Sequence, residues 1–106
     1  MPGKPFDIIF DVEVDQHLDA IDRKFHPLIR SAVEQQLRFD PATKTRNRKP
    51  LLRKNQLQAD WEIRFGPDNR FRVLYTVDEK NLEVLILAIG VKQGNRLIVG
   101  GEELTL

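Results

Sequence analysis

A chain of 106 residues is long enough for one domain with a modest core and too short for two. Its 41% apolar and 31% charged residues are ordinary for a soluble globular protein, and the absence of cysteine excludes a disulfide framework and thiol chemistry. No apolar run approaches the roughly 20 residues of a membrane helix, and the net charge of +1 excludes a uniformly polyanion-binding surface.

That small net charge hides an uneven distribution. Residues 1–40 carry five Lys/Arg against eight Asp/Glu, residues 41–76 nine against three, and residues 77–106 three against five. A basic middle third on a near-neutral chain can bind a polyanion on one face. Met1-Pro2-Gly3-Lys4-Pro5 does not resemble a signal peptide, so the expected compartment is the cytoplasm.

Phe6 to Glu13 alternates as a first strand, with Phe6, Ile8, Phe10 and Val12 expected to face the core and Ile9 as the exception. Asp15 can cap a following helix whose Leu18, Ile21 and Phe25 fall at helical spacing. Pro27 breaks that run and suits the first turn of a second helix, where Ile29, Val33 and Leu37 form a stripe flanked by Ala32. Residues 40–58 show no usable periodicity. Within them, Lys44 to Lys54 holds six basic residues and no acidic one, a charge that can draw in a phosphate backbone.

Trp61-Glu62-Ile63-Arg64-Phe65 and Phe71-Arg72-Val73-Leu74-Tyr75-Thr76-Val77 alternate as two strands of a hairpin. Both apolar faces share one side of the sheet only if odd numbers pair with odd, which centres the turn on Pro67-Asp68-Asn69. That register sets Phe65 opposite Phe71, Trp61 opposite Tyr75 and Arg64 opposite Arg72. Two facing arginines repel unless an anion or Glu62 lies between them. Leu82 to Val91, apolar on both faces, reads as a central strand, and Lys92 and Arg96 follow it toward the sheet edge. Glu102 and Glu103 read as a solvated tail. The whole, residues 1–106, is expected to be one α+β domain, β-α-α-β-β-β, with both helices on one face of a mainly antiparallel sheet.

His17 and His26 read as surface residues, lack partners at ligand spacing, and give no expectation of a metal. Ser31, the one serine, lies mid-helix outside any nucleophile elbow, and the glycines match no nucleotide fingerprint, so no cofactor is expected. A cationic surface remains. Cations can assist attack of a ribose 2′-hydroxyl on the adjacent phosphodiester, whose pentacoordinate transition state gathers negative charge.

The ordered set Thr45-Arg46-Asn47-Arg48-Lys49-Pro50-Leu51, Trp61 to Gly66, Phe71 to Asp78 and Leu85 to Arg96 resembles the RelE/ParE toxin superfamily of bacterial toxin–antitoxin systems over nearly the whole chain. The resemblance implies a toxin neutralised by a cognate antitoxin protein. RelE-like members cut messenger RNA, many of them in the ribosomal A site, whereas ParE-like members inhibit DNA gyrase. For the ribonuclease branch it implies catalytic roles for Lys49, Arg64, Arg72 and Lys92, with RNA contacts at Arg46, Arg48, Arg53, Lys54, Arg70 and Arg96. The branch usually adds a tyrosine or histidine near the C-terminus, and here Leu97-Ile98-Val99 stands in its place. Tyr75, the single tyrosine, falls on the core face in the hairpin register. Three readings follow: an mRNA endoribonuclease, a gyrase inhibitor of the same fold, or a non-catalytic module that binds an antitoxin.

Overall fold

A computed structural model describes residues 3–53 and 55–105; Lys54, one of the expected RNA contacts, lies outside the described residues. The elements are β1 (Asp7–Phe10), α1 (Val14–Asp19), α2 (His26–Leu37), β2 (Arg48–Pro50), β3 (Trp61–Phe65), β4 (Phe71–Asp78), β5 (Glu83–Gln93), β6 (Arg96–Val99) and β7 (Glu102–Leu104). Short 3-10 turns lie at Arg23–Phe25 and Pro67–Asn69. The sheet runs β2-β3-β4-β5-β6-β7, with β1 parallel to β5 and every other pairing antiparallel. The α+β order is the expected one, with three short strands added. No helix among the described residues is long and apolar enough to cross a membrane.

Alternation in the hairpin does what it predicts. Trp61 pairs with Tyr75, Ile63 with Val73, Arg64 with Arg72 and Phe65 with Phe71. The odd-membered loop is closed by Gly66, Asp68 and Asn69 at φ 83°, 54° and 52°. Asp68 and Asn69 are the side-chain types that tolerate that region.

The inward residues of β3, β4 and β5 bury against the stripe Ile29, Ala32, Val33 and Leu37 of α2. Each fully buried side chain of that stripe is worth about 1.5–3 kcal/mol. A smaller cluster forms on the opposite sheet face, where Ala59, Leu74 and Ala88 are covered by Leu51, Leu57, Leu97 and Leu104. Leu51, Leu57 and the β6–β7 hairpin thus close over part of the face away from the helices.

Along β5 the pairing slips by one residue. Leu74 pairs with Ala88 but Tyr75 pairs with Ile86, leaving Leu87 as the extra residue of a bulge. Val84 and Ile86 face the core before it, Ile89 after it, so the side-chain parity of the strand reverses there. Gly90 lies just beyond, and a Cβ there would come within 2.8 Å of the Ile98 carbonyl, so only glycine lets β6 lie so close.

Three local expectations are corrected. The first strand stops at Phe10, and Phe10 and Val12 are exposed by 44% and 85% instead of facing the core. The chain turns at Asp11, whose carboxylate accepts the Glu13 N–H at 3.0 Å, and Val14 enters the core instead. Asp15 is consequently inside the first turn of α1 and does not cap it. Nor does the helix run on to Phe25: it ends at Asp19, and Asp22 caps the 3-10 turn by accepting the Lys24 N–H.

The histidines are half-buried and structural rather than surface residues. His26 Nε2 donates to the carbonyls of Leu18 and Ile21, both at 2.9 Å. β5 shares one edge between β1, against Glu83–Ile86, and β6, against Gly90–Gln93. In the gap, His17 Nδ1 accepts the Ile89 N–H at 3.3 Å. Burial lowers the His17 pKa below its ordinary 6.5, with Glu13 and Asp11 pulling the other way. Above about pH 6.5 neither folded nor unfolded chain holds this proton; below it the unfolded chain takes the proton first, so stability falls as the pH drops. Unfolding midpoints at about pH 7.5 and 5.5 are expected to show that fall, and His17→Gln to reduce it. An equal fall in the variant would place the pH dependence elsewhere.

Candidate anion-binding site

Strand register alone carries most of the site to one face. β2 sets Lys49 opposite Glu62, and the hairpin sets Arg64 opposite Arg72, all on the face away from the helices. The bulge at Leu87 adds Lys92: with uninterrupted alternation from Val84 and Ile86, residue 92 would point into the core. β6 supplies Arg96. Lys49, Arg64, Arg72, Lys92 and Arg96 line one cavity of about 370 Å³, with Glu62 in it. The four expected catalytic residues are therefore brought together, with Arg96 beside them.

Glu62 is the residue that sequence reasoning undervalued. It is 3% exposed, and its Oε1 lies 3.4 Å from Arg72 Nη1, 3.6 Å from an Arg64 guanidinium nitrogen and 3.9 Å from Lys49 Nζ. One carboxylate oxygen thus faces three cations. Arg72 is the most enclosed of them, 10% exposed at its side chain, and its Nε donates to the Asn69 carbonyl at 3.1 Å. Burial lowers the Arg72 pKa below its ordinary value, Glu62 opposes that shift, and Arg64 adds to it. Glu103, expected in a solvated tail, sits on β7 and lines the same cavity. Five cations against these two carboxylates leave an excess of three positive charges, suited to a polyanion.

The expected RNA contacts divide. Arg46 is exposed in the turn before β2, outside the cavity lining, and Arg53 edges a separate hollow beside Leu51 and Asn55. Arg70 is exposed, with its guanidinium over the rings of Phe25 and Phe71 at 5.7 and 5.9 Å. Arg48 is 7% exposed and is not available to RNA. Its guanidinium donates to the carbonyls of Asp40 at 2.7 Å, Thr43 at 3.1 Å and Gln36, closing the C-terminal end of α2. Strand alternation explains the contrast with Lys49: neighbours on β2 point to opposite faces, which a run of basic residues conceals.

Tyr75 is fully buried on the helix side, its hydroxyl donating to the Pro41 carbonyl at 2.7 Å. Burial raises its pKa above the ordinary value, so it serves the core and not proton transfer at the cavity. Among the described residues no group of three or more His, Cys, Asp or Glu could hold a metal ion.

No protein-family model matches the sequence, and no curated protein matches it. Among solved structures, the chain is similar to one in the toxin–antitoxin complex RelBE2 from Mycobacterium tuberculosis. The TM-score is 0.67 at 23% identity, over 83% of this chain and 92% of that one. The RelE-like fold expected from the resemblance is therefore the fold observed.

Proposed function

We propose that this chain is the toxin of a type II toxin–antitoxin pair, an endoribonuclease that cleaves messenger RNA with arginine and lysine side chains instead of a metal. One observation carries the reading: cations from five strands converge on a single cavity around a buried carboxylate. A phosphodiester seated there meets Arg64 and Arg72, which stabilise the charge gathering on its non-bridging oxygens as a neighbouring 2′-hydroxyl attacks. Removing one such preorganised donor typically costs about 3–4 kcal/mol of transition-state stabilisation. An antitoxin partner is supported by the neighbouring fold, which occurs in a toxin–antitoxin complex. The host compartment on this reading is the bacterial cytoplasm, where messages, ribosomes and the antitoxin are found.

Induction of this chain alone in a bacterial host, with methionine and thymidine incorporation followed together, tests the target. An early fall in methionine incorporation with cut messages is expected. An early fall in thymidine incorporation would instead make the cavity a contact surface for gyrase and DNA. With soluble protein present, no change in either would leave an antitoxin-binding module.

A further inference from the structure

We infer that Glu62 is the proton acceptor for the 2′-hydroxyl, which rests on the ribonuclease reading above. Tyr75 is sealed in the core, and Leu97-Ile98-Val99 stands where the resemblance would set a tyrosine or histidine, so a carboxylate of the cavity is the anionic group placed to accept that proton. Among the described residues the carboxylates lining the cavity are Glu62 and Glu103, and Glu62 is the one set among Lys49, Arg64 and Arg72.

A phosphate competes for the same cations, and the more exposed ones are free to turn to it: the Arg64 and Lys49 side chains are 31% and 48% exposed, against 10% for Arg72. With Arg64 and Lys49 turned to the phosphate, Glu62 Oε1 is left open to the 2′-hydroxyl.

The step balances within the cavity. Glu62 takes the 2′-hydroxyl proton, the 2′-oxygen–phosphorus bond forms, and the phosphorus–5′-oxygen bond breaks. Lys92, on β5 with β3 and β4 separating it from Lys49 on β2, gives its proton to the departing 5′-oxygen. The products are a 2′,3′-cyclic phosphate and a 5′-hydroxyl, and solvent carries the proton from Glu62 back to Lys92.

Glu62→Gln separates a base from a mere counter-ion, because it keeps the shape and removes the charge. Cleavage of a reporter message is measured in a bacterial translation extract, and binding with a 2′-deoxy oligonucleotide that cannot be cut. The inference expects cleavage to fall by about 10²–10⁴-fold while binding is unchanged or tighter. Cleavage at the wild-type rate or faster would make Glu62 a counter-ion only, and weakened binding would make it a positioning residue; either overturns the inference. Glu62→Asp keeps the charge and withdraws the carboxylate by one methylene. Should the glutamine variant not fold, slow cleavage with intact binding in this variant upholds the inference, and a wild-type rate overturns it. A wild-type protein that leaves the message intact would instead overturn the ribonuclease reading, and this inference with it.

Discussion

Arg72→Ala is expected to destabilise the chain by about 3–5 kcal/mol, the usual cost of breaking a buried ion pair by removing one partner. The reason is Glu62. It is buried, and Arg72 is its nearest and least exposed cation at 3.4 Å. Truncation leaves that carboxylate with Arg64 at 3.6 Å and Lys49 at 3.9 Å, both on flexible, partly solvated side chains. Glu62→Gln added to Arg72→Ala should recover a large share of the loss, since the stranded charge is then gone. Urea unfolding of the two single variants and the double variant gives the coupling directly. A loss below about 1 kcal/mol in Arg72→Ala would show that the other two cations satisfy Glu62 unaided. The consequence for functional work is practical: alanine at both Arg64 and Arg72 mixes lost chemistry with lost stability, and Arg64→Ala alone probes the cavity more cleanly.

Arg48→Ala is the second large effect. Its guanidinium serves the carbonyls of Gln36, Asp40 and Thr43, which tie the end of α2 to the loop that leads into β2. Losing three charge-assisted bonds at a buried position is expected to cost about 3 kcal/mol or more. Lysine should rescue little of this, because an ammonium cannot reproduce a fork that spans three acceptors. An RNA contact at this position would give the opposite pattern, a full-strength unfolding midpoint with weakened oligonucleotide binding. Because Lys49 is the next residue, loosening Arg48 should also blur the cavity wall, and cleavage should fall in step with stability.

These two arginines show what was and was not legible beforehand. The hairpin register could be read because Trp61, Ile63, Phe65, Phe71, Val73 and Tyr75 leave one way to bury all six side chains on a common face. The face of Arg64 and Arg72 followed from it. β2 could not be read: three residues, two of them charged, hold no period, so Arg48 and Lys49 looked alike. β7 failed for the same reason, and Glu103 went with it. Lys92 was named by the resemblance, but its face was out of reach on different grounds, since Leu82 to Val91 is apolar at every position but Glu83 and Gly90 and gives no sign of where its faces exchange. Glu62 was visible on the right face throughout, but its burial depends on Lys49 and Arg72 closing around it.

The slip at Leu87 also bears on how such a chain can change over generations. Upstream of it, β5 writes its core residues at even positions; downstream, at odd ones. Losing the Leu87 codon would close the bulge and leave Ile89, Val91 and Lys92 on their present faces, whereas losing the Gly90 codon with the bulge kept would turn Val91 outward and the Lys92 ammonium inward at once. A substitution at any one of these positions is a smaller event. The bulge is therefore the place where β5 can shorten by one residue and still keep the cavity's lysine, while the stretch beyond it cannot.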